Sequence, residues 1–366
     1  MSAMFQNIFK PIIIKNICIK NRIVFPAFNT SYATEQGFVK PRLLRFHTNV
    51  SKGEVGLNIV GATSVSKEGR VNFYGLRIDD NKFIPGLKKL FTTIQKNGAI
   101  PAIQLTHAGS QTTSMVIDSK PVAPSSIPTC FGDTPRALER HEIKRIIKDF
   151  GNSALRAEIA GAKAIELHAA HGYLIHQFLS PLTNKRIDDF GGSLINRIRF
   201  LKDIIIEIKD KIRNDTILLC RLSAEEFRNG GITIEYSKLI AKEIEKCGVD
   251  IIDVTAGIYG QKHIVYPTTN KYRNIRIDLA SKIKSVINIP VICSGHISNL
   301  SQAENILEKR KADFIALGRA LIADPLLIKK TRKKQYHLIK KCTWCNKCVY
   351  DWQSRNSLHC PVNPEI

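Results

Sequence analysis

The chain has 366 residues, 43% of them hydrophobic, and 55 Lys and Arg against 32 Asp and Glu give it a formal charge of +23. That is enough apolar material for one large domain or two smaller ones. No apolar run approaches the roughly 20 residues needed to span a bilayer, and the start, MSAMFQNIFKPIIIKN, lacks a signal-cleavage pattern, so neither a membrane nor a secretory route is expected and the location expected is cytoplasmic. The basic residues are spread along the chain, with KKTRKK (329–334) the densest run and no nucleic-acid motif beside it, so a nucleic-acid partner is not expected either.

In chain order, short runs rich in Ile and Val alternate with segments of helical spacing. RIVFPAF (22–28) and LNIVGATSV (57–65) read as the first two strands, and a helix is predicted over 83–98. IPAIQLTH (100–107) is the third strand, followed by a helix over 140–161. AKAIELHAA (162–170) is the fourth, followed by a helix over 196–212. ILLCRLS (217–223), a helix over 234–248, DIIDVTAG (250–257), PVICSGH (290–296), a helix over 300–311 and DFIALGRA (313–320) complete the series. The strands are apolar throughout rather than alternating, as in parallel sheets buried on both faces. Several helices close on Gly, the preferred C-terminal cap. Eight β-then-α units predict an α/β protein built as a closed (β/α)8 TIM barrel. A doubly wound sheet is the alternative, but the chain holds no G-x-G-x-x-G fingerprint. The expected division is a barrel over 1–335 and a short tail over 336–366.

In such a barrel the active site forms at the C-terminal ends of the strands. The polar residues expected there are Gln104 and His107 on strand 3, Glu166, His168, His171 and Tyr173 on strand 4, and Arg221 on strand 5. Gly295 follows strand 7, and Gly318 and Arg319 follow strand 8. Glycines at those two ends suit a phosphate cradle, with Arg319 adding a charged fork, or are simply tight turns beside a surface Arg. The H-x-x-H-x-Y group of His168, His171 and Tyr173 can bind a metal, hold a carbonyl oxygen or shuttle protons, and an obvious third metal ligand is missing nearby.

The tail carries four of the nine cysteines, as C-x2-C-x2-C-x11-C at Cys342, Cys345, Cys348 and Cys360. Three closely spaced thiols with a distant fourth fit a [4Fe–4S] cubane better than structural zinc, which usually takes two separated C-x2-C knuckles. A reducing cytoplasm makes a metal site more natural there than disulfides. Cys18, Cys130, Cys220, Cys247 and Cys293 read as ordinary thiols.

The stretches NIFKPIIIKNICIKNRIVFPAF, QLTHAG, ELHAAHGYLIHQFLSPLTNKRIDDFGGSLINRIRF and FIALGRALIADP resemble the Old Yellow Enzyme family of FMN-dependent oxidoreductases, over about residues 5–330. The tail, with CPVNP after its last cysteine, resembles the longer branch of that family. There a four-cysteine [4Fe–4S] site follows the barrel and precedes FAD- and NAD(P)H-binding domains, as in 2,4-dienoyl-CoA reductase and enoate reductase. The resemblance implies that Pro26, Ala27 and Phe28 lie along the flavin, that Asn29 tunes it, and that Ala62 gives it a backbone contact. It implies Gln104 at the pyrimidine edge, Arg221 near N1, where charge collects on reduction, and Gly295, Gly318 and Arg319 at the FMN phosphate. His168 and His171 match the pair that holds a substrate carbonyl, and Tyr173 the proton donor.

The implied activity is ene-reduction: hydride transfer from reduced FMN to the C=C of an α,β-unsaturated carbonyl compound, with electrons relayed through the cluster. Phe28 stands where relatives usually carry Met, and still supplies an apolar wall. Dienoyl-CoA reductases lack the first histidine of HAAH, which favours a smaller enone, enoate or dienone over a CoA ester. His263, in the loop after strand 6, matches a histidine that some relatives carry beside the site. The chain ends six residues after Cys360 without a dinucleotide fingerprint. NAD(P)H is therefore expected as the ultimate donor through a separate reductase or ferredoxin, with no FAD bound here, unless the sequence is truncated. The alternatives are an amine dehydrogenase or demethylase on the same scaffold, and an electron-transfer subunit of a larger flavoprotein complex.

Overall fold

The structure is a computed structural model that describes residues 5–129, 133–268, 272, 274–354 and 356–366, and omits the side chains of Lys262, Trp352 and Gln353. Cys130 and the end of the loop after strand 6, residues 269–271, lie outside the described residues.

Each of the eight apolar runs forms a parallel strand: β1 Ile23–Phe25, β2 Leu57–Ser64, β3 Ile100–Thr106, β4 Ala164–Ala169, β5 Ile217–Ser223, β6 Ile251–Thr255, β7 Val291–Cys293 and β8 Phe314–Ala316. They pair in sequence order. β8 also pairs with β1 (Ile315 with Ile23) and β1 with β2 (Val24 with Leu57), so the sheet closes into the expected TIM barrel. β1, β7 and β8 are shorter than their apolar runs. The chain leaves the sheet at Pro26, which has no N–H to give a ladder, and beyond Cys293 and Ala316 it turns through Gly295 and Gly318.

The outer helices are α1 Pro41–Lys52, α2 Ile84–Lys96, α3 Arg140–Ile159, α4 Leu194–Lys209, α5 Ile234–Lys246, α6 Ile275–Lys284, α7 Leu300–Glu308 and α8 Leu327–Arg332. α1, α6 and α8 were not among the helices expected from spacing. α1 starts at Pro41, in the first-turn position where a missing N–H costs nothing, and buries Leu43, Phe46, His47 and Val50. Past α3 and α5 the chain turns through Gly161 and Gly248, at φ of 101° and 91°, a conformation that an L side chain resists.

The barrel interior has two floors. The lower is apolar: Val24, Leu57, Ile59, Ala102, Ala164, Leu219, Ile251, Ile292 and Phe314 form one buried cluster with Ile14 and Ile19. Those two come from an N-terminal hairpin, Ile12–Ile14 paired with Ile17–Ile19, which plugs the lower end. Two residues further up the same strands the inward side chains become Gln104, Glu166, Arg221 and Asp253.

The tail packs on the barrel. Cys348, Val349, Leu358, Cys360 and Ile366 belong to the main hydrophobic cluster. Leu358 N donates to Thr30 O at 2.9 Å, and its carbonyl accepts from Tyr32 Oη at 2.6 Å and Arg42 at 3.3 Å. Asn363 Nδ2 donates to Ile322 O at 3.0 Å. No described helix is long and apolar enough to cross a membrane.

Candidate active site

A cavity of about 1120 Å³, open solvent at its mouth included, stands over the upper floor. Its lining includes every barrel residue singled out from the sequence as a catalytic or cofactor-binding candidate: Pro26, Ala27, Phe28, Asn29, Ala62, Gln104, His168, His171, Tyr173, Arg221, Gly295, Gly318 and Arg319. Thr255, Ile258, Tyr259, Val265, Tyr266, Arg276 and Ser294 line it too. Ala62 reaches the cavity because β2 slips register against β3 between Val60 and Thr63, and such irregularities re-aim side chains.

The floor is a buried polar layer. Gln104 Nε2 donates to Glu166 Oε2 at 2.5 Å, and Arg221 Nε lies 3.2 Å from Asp253 Oδ2. The registers explain this: Gln104 pairs with Glu166 on adjacent strands, and Arg221 stands between His168 and Asp253. Burial, then the negative charge of Asp253, raises the Glu166 carboxyl to about 8. Burial raises Asp253 as well. Two carboxyls buried beside one guanidinium therefore favour the protonated form of Glu166 at neutral pH. Arg221 also reaches Ala27 O at 3.4 Å, tying β5 to the turn after β1.

Above the floor, His168 is the penultimate residue of β4, and His171 follows just past the strand in the left-handed region at φ 59°. Their rings meet edge-on with centroids 5.2 Å apart, and the Tyr173 ring lies 4.7 Å from that of His168. His171 Nε2 meets Thr255 Oγ1 at 3.0 Å, and its backbone N–H donates to Ser223 Oγ at 3.0 Å, so β5 and β6 fix its orientation. His168 Nδ1 is buried without a protein partner. Burial, then the Arg221 charge, pushes both imidazoles well below the usual histidine range, so both are neutral. Burial raises the Tyr173 phenol, which Tyr259 hydrogen-bonds, so it remains protonated.

At the other end, Arg319 joins the cavity to the tail. It donates to Asn346 Oδ1 at 2.5 Å and to Pro267 O at 3.2 Å, and stacks on Trp344 at 4.5 Å. The opposite partner of Trp344 is His296, at a centroid distance of 3.5 Å and 27° between planes. Trp344 and Asn346 flank Cys345. The four tail thiols share one electrostatic neighbourhood, in which Cys342 and Cys348 each feel the other cysteines and Arg319. The Trp344 N–H donates to Cys342 Sγ at 3.4 Å. Among the described residues no three His, Cys, Asp or Glu side chains converge to hold a single metal ion. A cubane makes a different demand, since each thiolate meets its own iron. The donor set is four thiols, Cys342 and Cys345 ahead of the short helix Lys347–Gln353, Cys348 within it and Cys360 beyond it, and thiolates are the ligands such a cluster takes.

Two polar residues noted in the sequence stand apart. His107 is buried beside Glu68 at 3.8 Å and accepts from Gly109 N at 3.1 Å, away from the cavity lining. His263 is exposed and packs against Tyr272, with centroids 5.3 Å apart, rather than facing the cavity. Thr255 was legible from alternation along β6. Tyr266 and Arg276 carry no sequence signal, because the loop after β6 brings in the first and the start of α6 the second.

A family model for the NADH:flavin oxidoreductase / NADH oxidase family matches residues 7–337. The chain is 42% identical to an NADH oxidase of Thermoanaerobacter brockii over 98% of its own length and 56% of that protein's. It is 38% identical to an NADPH dehydrogenase of Clostridium acetobutylicum over 88% of its length and 94% of the relative's. A solved 2-naphthoyl-CoA reductase superposes with a TM-score of 0.95 at 29% identity, over 99% of this chain and 57% of that one. The chain thus spans little more than half the length of the first of these relatives and of that reductase. The closed barrel, the cavity at its upper rim and the match over residues 7–337 have one reading: the chain belongs to the NADH:flavin oxidoreductase / NADH oxidase family of FMN-dependent enzymes.

Proposed function

We propose that the chain is the barrel and electron-entry part of an FMN-dependent ene-reductase acting on a small α,β-unsaturated carbonyl compound. The observation that carries this reading is the neutral His168–His171 pair with protonated Tyr173 beside it in one cavity.

The cavity residues suit FMN. Pro26, Ala27, Phe28 and Ala62 offer apolar and backbone surface, Gln104 an amide for the pyrimidine edge, Arg221 a cation for the ring, and Gly295, Gly318 and Arg319 a phosphate end. Asn29 sits at the rim, its Oδ1 taken by Ser31 N at 3.3 Å. Bound and reduced FMN supplies a hydride to the substrate β-carbon. The protein supplies the rest. His168 and His171 hold the carbonyl oxygen, where enolate charge develops, and their neutrality lets each offer one ring N–H without competing for the proton. Tyr173 gives its phenolic proton to the α-carbon, and its raised pKa keeps that proton in place across the physiological range. A naphthoyl-CoA reductase among the structural neighbours acts on a conjugated carbonyl compound of the same broad kind.

Cys342, Cys345, Cys348 and Cys360 are proposed to hold a [4Fe–4S] cluster, which supplies one-electron transfer. The ultimate donor is then NAD(P)H, acting through a reductase or ferredoxin. Arg319, Trp344 and His296 form the contact between tail and cavity. The test is the iron, acid-labile sulfide and FMN content of anaerobically purified protein, followed by turnover of 2-cyclohexenone. About four irons and four sulfides per flavin are expected, with enone turnover lost in His168→Ala/His171→Ala while flavin is kept. Flavin without iron would remove the relay. Retained enone turnover in the double variant would remove the role of the histidines.

A further inference from the structure

Three guanidinium groups line the cavity, from Arg221, Arg276 and Arg319. Arg221 has a carboxylate partner in Asp253. Among the described residues neither Arg276 nor Arg319 has a carboxylate within 4.0 Å. Arg276 is 7% exposed. Its Nη2 donates to Ile264 O and Val265 O, and among the described residues its buried Nε has no hydrogen-bond partner. Arg319, 9% exposed, likewise rests on uncharged acceptors, Pro267 O and Asn346 Oδ1. Carbonyl dipoles satisfy donors but do not neutralise charge, so among the described residues two buried cations face one cavity without a carboxylate partner.

The two are close enough to repel. After burial, Arg319 is the charged group that most opposes protonation of Arg276, ahead of Arg221. Both guanidiniums line the same cavity as Gly295 and Gly318, and a phosphate monoester dianion presents enough charged oxygens for two guanidiniums to share.

We propose that Arg276 is a second cation of the FMN phosphate site and shares the dianion with Arg319. This rests on the reading that the cavity holds FMN. No sequence motif marks Arg276; it stands in the first turn of α6 and lines the same cavity as Gly295 and Gly318. The same pair of cations would also suit a substrate carboxylate, so the test separates the two anions.

The experiment compares retention of FMN and of riboflavin by the full chain and by Arg276→Gln, Arg276→Lys and Arg319→Gln, with the 31P resonance of bound FMN recorded in each. Arg276→Gln is expected to weaken FMN at least about 10-fold, as for loss of a hydrogen bond to a charged group. Riboflavin affinity should change less than about 2-fold, the phosphorus resonance should shift, and Arg276→Lys should recover most of the loss. Equal weakening of both flavins would overturn the proposal, because the guanidinium would then merely anchor the 264–265 turn. So would unchanged FMN affinity with a raised KM for a carboxylate-bearing enoate alone, which would assign Arg276 to substrate. Loss of FMN in Arg319→Gln but not in Arg276→Gln would sink this inference and leave the FMN reading standing. Failure of the unaltered chain to bind FMN would sink both.

Discussion

The two floors of the barrel are built from the same strands and the same inward positions, yet they do different work. Ala102, Ala164, Leu219 and Ile251 point inward on the lower floor; two residues on, Gln104, Glu166, Arg221 and Asp253 point the same way. One step of the strand period separates a packed hydrophobic plug from a charged platform. The lower floor is held by burial, with the N-terminal hairpin closing it. The upper floor holds buried charges that cost stability and are compensated by one another. The difference teaches that the side-chain direction set by the sheet fixes where chemistry can sit, and that residue type along one row decides whether a position stabilises or reacts.

Substitutions on the two floors should therefore separate cleanly. Phe314→Ala, on the lower floor, empties a fully buried ring and is expected to cost about 3–5 kcal/mol in denaturant unfolding, with little change in turnover per folded molecule. His168→Ala, above the upper floor, should lower enone turnover about 10²–10³-fold, the usual loss for one donor to a developing oxyanion, with the unfolding midpoint nearly kept. Equal stability losses at both positions would break the comparison.

The pH dependence of stability sharpens it. The Glu166 carboxyl holds its proton up to about 8 in the folded chain against 4.5 in the unfolded one. Between those values the folded state carries the extra proton, so stability falls as pH rises through that window. His47, buried behind the barrel wall on α1 and hydrogen-bonded to Asn58 at 2.8 Å, has the opposite sign. Burial lowers it to about 4 from 6.5, so stability falls as pH drops below 6.5. Glu166→Gln should flatten the limb between 6.5 and about 8 and steepen the acid limb, where the opposing His47 slope is then no longer offset. The smallest effect expected is at the tail. Tyr32→Phe deletes the bond to Leu358 O and should cost about 1 kcal/mol, read as a lower melting temperature.

Much of this was legible in the sequence, for physical reasons. Strands buried on both faces must be apolar throughout, so the eight runs stood out, and ELHAAHGY marked the end of β4. What the sequence hid was short or delivered from a distance. The strands of the N-terminal hairpin are three residues each, too few for a period. α6, IRIDLASKIK, spreads its apolar residues around the helix and so lacks a clear face. Tyr266 reaches the cavity from the loop after β6 and Arg276 from the first turn of α6, placements that local pattern does not encode. His107 looked like a strand-end candidate but is buried away from the cavity lining, because its ring packs against the Glu68–Gly69 turn.

The most direct test of the central claim is anaerobic mixing of the chemically reduced protein with 2-cyclohexenone while the flavin absorbance is followed. The account predicts reoxidation of the flavin with stoichiometric cyclohexanone, and its loss in His168→Ala/His171→Ala with the flavin still bound. A reduced flavin left untouched by enones and enoates, in a protein whose oxidised flavin is reduced by an amine instead, would contradict it.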